Sequence, residues 1–298
     1  MLSAKFGIEI EFTGITRQRA AEVAAEVLGG TRNGERVTAP DRRVWKFVSD
    51  GSIRVESRRG RQAQAVELVS PILTYREDID TLQKLIRALR EAGGRANSSC
   101  GIHIHLNGAN HDVRSIRNFI NIIAARNDLF YKALQIEPDR MRYCKKMDAM
   151  LVGKMNQRKP RTLEQVRKIW YEGYAGNQSN HYHQSRYHFL NLHSFFNGHG
   201  TVELRGFNST LHAGKIRAYI VLALALNHQA LTQKSARPAK CQMENEKFAM
   251  RVYLNRIGFI GEEFANCREH LYMHLAGNAA WRYREPAPRR TTPSPVRT

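Results

Sequence analysis

The chain has little cysteine, little acid and no long apolar run, and each shortage removes a class of protein. Its four cysteines (Cys100, Cys144, Cys241 and Cys267) stand far apart with no CxxC pair, which leaves no structural zinc motif or dithiol redox motif. They read as reduced thiols. The longest apolar stretch, Tyr219 to Leu226 continuing through Asn227 and His228, falls short of the roughly 20 residues that a membrane-crossing helix needs, and reads as a buried helix. No opening stretch joins a basic flank, an apolar run and a small-residue cleavage site, so the chain is expected to stay in the cytoplasm, with no membrane partner. Neither GxxxxGK[ST] nor a strand-following GxGxxG occurs, so neither familiar glycine loop is there to cradle phosphates; HExxH is also missing. No internal repeat at fixed period is seen.

The shortage of acid leaves 47 Lys and Arg against 27 Asp and Glu, a formal net charge of +20. Such a balance favours anionic partners, whether nucleic acid, nucleotides, acidic peptides or acidic metabolites. The basic residues are spread along the chain, densest at Arg158–Lys168 and in the last residues, which suits a solvated surface better than a nucleic-acid footprint. With 298 residues, 42% of them hydrophobic, the chain can bury one large core. We expect one catalytic unit over residues 1–285 and a disordered Pro-, Arg- and Thr-rich tail at 286–298.

Strand-like runs occur at Lys5–Phe12, Val44–Val48, Ala63–Val69, Gly101–Leu106, Tyr187–Leu192 and Thr201–Leu204. Helical patterns lie at Arg17–Leu28, Glu77–Ala92, Val113–Leu134, Lys215–Gln233, Glu244–Arg256 and Glu262–Leu275. This order predicts an α+β fold with one sheet backed by helices. Between Ile136 and Ser185 the periodicity fades into basic, aromatic and histidine-bearing sequence, read as an insertion or lid with one helix near Leu163–Tyr171.

The chemistry follows from which residues share a strand face. In GIEIEF, Glu9 and Glu11 lie opposite Ile8, Ile10 and Phe12. In GIHIHL, His103 and His105 oppose Ile102, Ile104 and Leu106, and in TVELR, Glu203 and Arg205 oppose Val202 and Leu204. A lone ExE is more often a solvated face, but solvated faces carry Lys, Thr, Gln and Arg rather than paired carboxylates and imidazoles on three strands. Glu67 in AVELVSP is as readily an edge-strand charge as a ligand. Asp50 in VSDGSI is first a turn residue. In RYHFLNLHSF, Asn191 shares a predicted strand face with Phe189 and His193, and either orients a substrate group or satisfies backbone at the strand end. Arg186, at the start of that run, offers a planar fork for a phosphate or carboxylate, or simply decorates the surface. Carboxylates with imidazole suit Mg²⁺ or Mn²⁺, and such clusters neutralise nucleotide phosphates during phosphoryl transfer.

In order along the chain, FGIEIEF, SDGSI, VELVSPIL, CGIHIHLN, RYHFLNL and VELRGFNSTLH resemble the motifs of the amidoligase family, a branch of the carboxylate–amine ligases related to glutamine synthetase and glutamate–cysteine ligase. The resemblance runs from Phe6 to the helix after Gly214. It implies a glutamine-synthetase-like catalytic fold, a curved and mainly antiparallel sheet with metals on its concave face. It further implies that Glu9 and Glu11 bind two different Mg²⁺ ions, that Glu67 adds a carboxylate to one of them, and that His103 ligates a metal. His105 would lie near the metals or the ATP phosphates, Glu203 would close the second metal site, and Arg205 would contact the phosphoryl group. The implied reaction joins a carboxylate to an amine, on a small molecule or a protein, at the expense of ATP. Three other readings compete: a phosphotransferase of the same fold, a zinc hydrolase built on HxH, and a basic nucleic-acid-binding protein.

Overall fold

Alternation in the first strand decides the architecture. In β1 (Lys5–Phe12) the side chains of Phe6, Ile8, Ile10 and Phe12 are fully buried, and Glu9 between them is only partly so. A computed structural model of the chain describes residues 1–57, 62–240 and 244–281. Within these residues β1 is joined by β2 (Thr31–Asn33), β3 (Arg36–Thr38), β4 (Val44–Val48), β5 (Val66–Val69), β6 (Leu73–Thr74), β7 (Gly101–Asn107), β8 (Leu190–Asn191) and β9 (Thr201–Asn208). They form one open sheet in the order β2-β3-β4-β5-β1-β7-β9-β8, with β6 also paired to β1, and every strand pairing is antiparallel. The α+β reading holds at that level.

The helices are α1 (Arg17–Leu28), α2 (Tyr75–Glu91), α3 (Val113–Ala124), α4 (Asn127–Ala133), α5 (Ala149–Arg158), α6 (Leu163–Tyr171), α7 (His193–Asn197), α8 (Ala213–Thr232), α9 (Glu246–Arg256) and α10 (Ala265–Tyr272). Thr16 caps α1 by accepting from the Arg19 N–H, and Gly29 ends it in the left-handed region at φ 61°. The apolar run Tyr219–Leu226 lies in α8, where every one of those eight side chains is buried. It packs on α2, α3, α10 and β7, at the centre of the core rather than in a bilayer. No helix among the described residues is long and apolar enough to cross a membrane.

Several expectations are corrected. The helix expected over Val113–Leu134 is two helices, because Arg126 leaves the helical region at φ −125° and its guanidinium sits 3.7 Å over the Tyr253 ring. The segment 136–185 carries α5 as well as α6, and Met155, Val166 and Trp170 from both helices enter the main core. The strand expected over Tyr187–Leu192 survives only as β8; Gln184–Arg186 is a 3₁₀ turn and His193 begins α7, so the shared face of Phe189, Asn191 and His193 is not formed. The β2–β3 hairpin was not anticipated. The tail from Pro286 lies outside the described residues, as does Cys241.

Candidate active site

The register sets the site. Glu9 pairs with His103 across β1–β7, Glu11 with Glu67 across β1–β5, His105 with Glu203 across β7–β9, and Glu203 with Asn191 across β9–β8. Directly paired residues share a face, so five adjacent strands present their polar residues to the side away from α2 and α8. Between β7 and β9 the register shifts: Ile102 pairs with Phe207 but Ile104 with Leu204, leaving His103 opposite both Arg205 and Gly206. This two-against-one count is a β-bulge.

Side-chain distances close the cluster. His103 Nδ1 lies 3.1 Å from Glu9 Oε2, and His105 Nε2 lies 3.2 Å from Glu9 Oε1. His103 Nε2 is 3.7 Å from Glu11 Oε1, while Nδ1 is 3.9 Å from Glu203 Oε1. The Gly101 N–H donates to Glu11 Oε2 at 2.6 Å. Arg205 donates to Glu203 Oε1, and Asn191 Nδ2 donates to Glu203 Oε2 at 2.6 Å. Three overlapping groups bring one ligand atom from each member within 4.8 Å of the others: Glu9, His105 and Glu203; Glu9, Glu67 and His103; Glu11, Asp50 and Glu67. All ten residues singled out in the sequence line one cleft of about 310 Å³: Glu9, Glu11, Asp50, Glu67, His103, His105, Arg186, Asn191, Glu203 and Arg205.

The electrostatics are polarised. Burial alone would raise the Glu9 carboxyl, but hydrogen bonds to His103 and His105 hold it well below the usual carboxylate range. Burial likewise works against Glu203, yet Arg205, His105 and His103 bring it down to about 2. Burial would discharge Arg205 and His105; Glu203 is the main counterweight for each, and both end above their ordinary values. Glu67 goes the other way: burial, with Glu9, Glu11 and Asp50 around it, pushes it up to about 9. Burial first, and then the negative charges converging there, thus favour the protonated form of one carboxyl on the floor.

A family model described as that of a putative amidoligase enzyme matches residues 2–227. The chain belongs to that family. The match takes in every strand of the sheet and most of α8. Among curated proteins none matches. In this amidoligase-family chain two side chains singled out from sequence have more restricted surroundings than expected. Asn191 spends both ends of its amide within the protein, donating to Glu203 and accepting from the His193 backbone N–H at 2.8 Å. Arg186 sits in a turn, with Nη1 donating to the His181 carbonyl at 3.1 Å and its guanidinium 5.4 Å from the Tyr182 ring centre and 5.9 Å from that of Tyr187.

Other cleft residues were not singled out. Arg140 comes from the 3₁₀ turn Pro138–Arg140, and His193 holds the cleft's rim by bonding Tyr171 Oη at 2.7 Å and the Asn180 carbonyl at 3.0 Å. The histidine-bearing stretch that includes His181 and His183 marks the neighbourhood of the rim; nothing in Pro138–Arg140 marks Arg140.

Two outcomes follow from this packing. A Cβ on Gly206 would stand 1.9 Å from the Phe189 ring, so Gly206→Ala is expected to overpack the bulge and destabilise by about 1–3 kcal/mol. Denaturant unfolding checks this; an unchanged midpoint would contradict it. The raised Glu67 carboxyl keeps a proton in the folded chain that the unfolded chain has released above the ordinary carboxylate range. Its contribution to stability is present at low pH and is lost as pH climbs toward about 9. Melting temperature in chelator-treated buffer is therefore expected to fall between about pH 6 and pH 9, and Glu67→Gln to flatten that fall. An equal slope in the variant would remove Glu67 as its source.

Proposed function

We propose that this chain is an ATP-dependent carboxylate–amine ligase of glutamine-synthetase-like fold, forming an amide through an acyl phosphate. The observation that carries the reading is the convergence of Glu9, Glu11, Glu67, Glu203 and Asp50, with His103 and His105, on one cleft floor beside Arg205. Each close group holds at most one imidazole among carboxylates, and none contains a cysteine, a donor set for a hard divalent ion rather than zinc. Mg²⁺ or Mn²⁺ held there would offset the charge of the ATP phosphates. Glu9, Glu11, Glu67, His103 and Glu203 are the ligands in this reading, with Asp50 beside them.

The chain's own groups supply the rest. An oxygen of the substrate carboxylate attacks the γ-phosphorus, ADP leaves, and the acyl phosphate then takes the amine at its carbonyl carbon, releasing phosphate and a proton. Carboxylate is a poor electrophile, hence the activation step. Arg205, fixed by Glu203, lines the cleft and offsets charge on the transferring phosphoryl group; its buried Nε has no hydrogen-bond partner among the described residues. Arg186, ringed by Tyr182 and Tyr187 and with no carboxylate within ion-pair distance among the described residues, clamps a phosphate or the substrate's acid group, with His105 near the phosphates. The predicted lid borders the cleft through Arg140 and Tyr143 near its start and His181 and Tyr182 near its end, where it would keep water from the acyl phosphate.

The test is ATP consumption with Mg²⁺, hydroxylamine and a panel of carboxylic acids. The ligase yields ADP, phosphate and a hydroxamate from its acid substrate. A stable phosphorylated product would instead establish the phosphotransferase, and no ATP consumption with any acid would contradict the ligase.

A further inference from the structure

We infer that Arg140 is a positioning residue for Arg205, the guanidinium that pins the β9 bulge and so aims Arg205 into the cleft; this rests on the reading of Arg205 given above. Regular pairing would put Glu203, Arg205 and Phe207 on the same face of β9. The extra residue in the bulge changes that parity, so Glu203 and Arg205 face the cleft while Phe207 turns to the core and stacks on Tyr219 of α8 at 4.8 Å. A bulge frees backbone carbonyls from the ladder, and buried carbonyls need donors. Arg140 is the donor: Nη2 reaches the Arg205 carbonyl at 2.8 Å and Nη1 the Phe207 carbonyl, one on each side of Gly206.

The surroundings fit that role. Arg140 is 2% exposed and has no carboxylate within ion-pair distance among the described residues, so its direct partners are the two backbone carbonyls, with Glu11 acting only from farther off. A neutral donor would satisfy one carbonyl without the cost of burying a cation; a planar fork spans two. Gly101 leaves the path open, since a Cβ there would lie 2.3 Å from Arg140 Nη2. A second clasp holds the same turn to the end of β9: Asn208 Oδ1 accepts from the Glu137 N–H at 3.1 Å, and its Nδ2 donates to the Gln135 carbonyl at 2.6 Å. The start of the segment 136–185 is thereby built into the site.

The experiment compares Arg140→Lys, Arg205→Lys and the double variant in the full chain, reading ATP turnover, KM for ATP and Mn²⁺ affinity. Arg140→Lys is expected to lower kcat by about 10- to 100-fold with Mn²⁺ affinity kept within about threefold. The double variant should turn over within about twofold of Arg205→Lys alone, because the first change acts through the second. Multiplying losses, or a loss confined to Mn²⁺ affinity, would overturn the proposal. Should Arg140→Lys fail to fold, Gly101→Ala pushes the Arg140 guanidinium off the two carbonyls and must give the same non-additivity with Arg205→Lys. If the wild type consumes no ATP, the ligase reading fails by itself. The NMR signal of the Arg205 Nε–H then decides the positioning: it shifts in Arg140→Lys if Arg140 aims Arg205, and stays in place if not.

Discussion

Glu9→Gln is expected to lower ATP turnover by at least about 10²- to 10³-fold while the chain stays folded. Glu9 belongs to two of the three close ligand groups and touches both imidazoles, so no other single carboxylate ties together as much of the floor. Glutamine keeps the shape and removes the charge. It also replaces one oxygen acceptor with an N–H donor, toward His103 or toward His105, and the imidazole it faces must then change tautomer or lose a bond. The stability cost is the loss of the ionised carboxylate's hold on the two imidazoles, offset in part because removing that charge relieves Glu67. The checks are ADP release under saturating Mg²⁺ and circular dichroism; turnover within a few-fold of wild type would remove Glu9 from the reacting centre.

Arg205→Met should strike twice. It removes the guanidinium proposed to face the transferring phosphoryl group, for which losses of about 10³-fold or more in kcat are typical. It also leaves Glu203, 2% exposed, without its ion-pair partner in the interior. Breaking a buried pair from one side costs about 3–5 kcal/mol. The lower figure applies here, since Asn191 still donates to Glu203 and the imidazoles of His103 and His105 stand nearby. A divalent ion in the same pocket would offset the orphaned carboxylate, so Mg²⁺ should restore more melting temperature to this variant than it adds to wild type. Equal Mg²⁺ effects in the two proteins would count against Glu203 as a ligand.

The sequence disclosed the chemistry of each strand better than its surroundings. Alternation in GIEIEF, GIHIHL and TVELR was enough to separate the apolar face from the polar one, because a period of two is a local property of extended chain. What alternation cannot carry is the neighbour: that His103 stands between Glu9 and the Arg205–Gly206 bulge depends on pairings between residues about a hundred positions apart. The bulge itself has only Gly206 as a local trace. The strand expected through Tyr187–Leu192 was cut short for a reason a pattern does not register. The Asn191 side chain accepts from the His193 N–H and turns the chain into α7. The β2–β3 hairpin escaped because TRN and RVT are short and almost wholly exposed, with Val37 the one buried side chain between them. Helix α5 was hidden by Gly153 and by mixed polar positions, although Asp148, which caps it through the Leu151 N–H, was a usable start signal.

Arg140 and Asp50 show the same limit from two sides. Both sit in turns, where no periodicity predicts direction, and both reach the cleft only because the sheet brings distant strands beneath them. Asp50 came to notice through a motif; Arg140 had none.

The most direct measurement is anomalous scattering from manganese in crystals grown with Mn²⁺ and a non-hydrolysable ATP analogue. Manganese is expected on the cleft floor, bound by Glu9, Glu11 and Glu203 with His103 among the donors, and is expected to be lost from crystals of Glu9→Gln. Manganese absent from that floor at millimolar concentration, or seated elsewhere with the analogue, would contradict it.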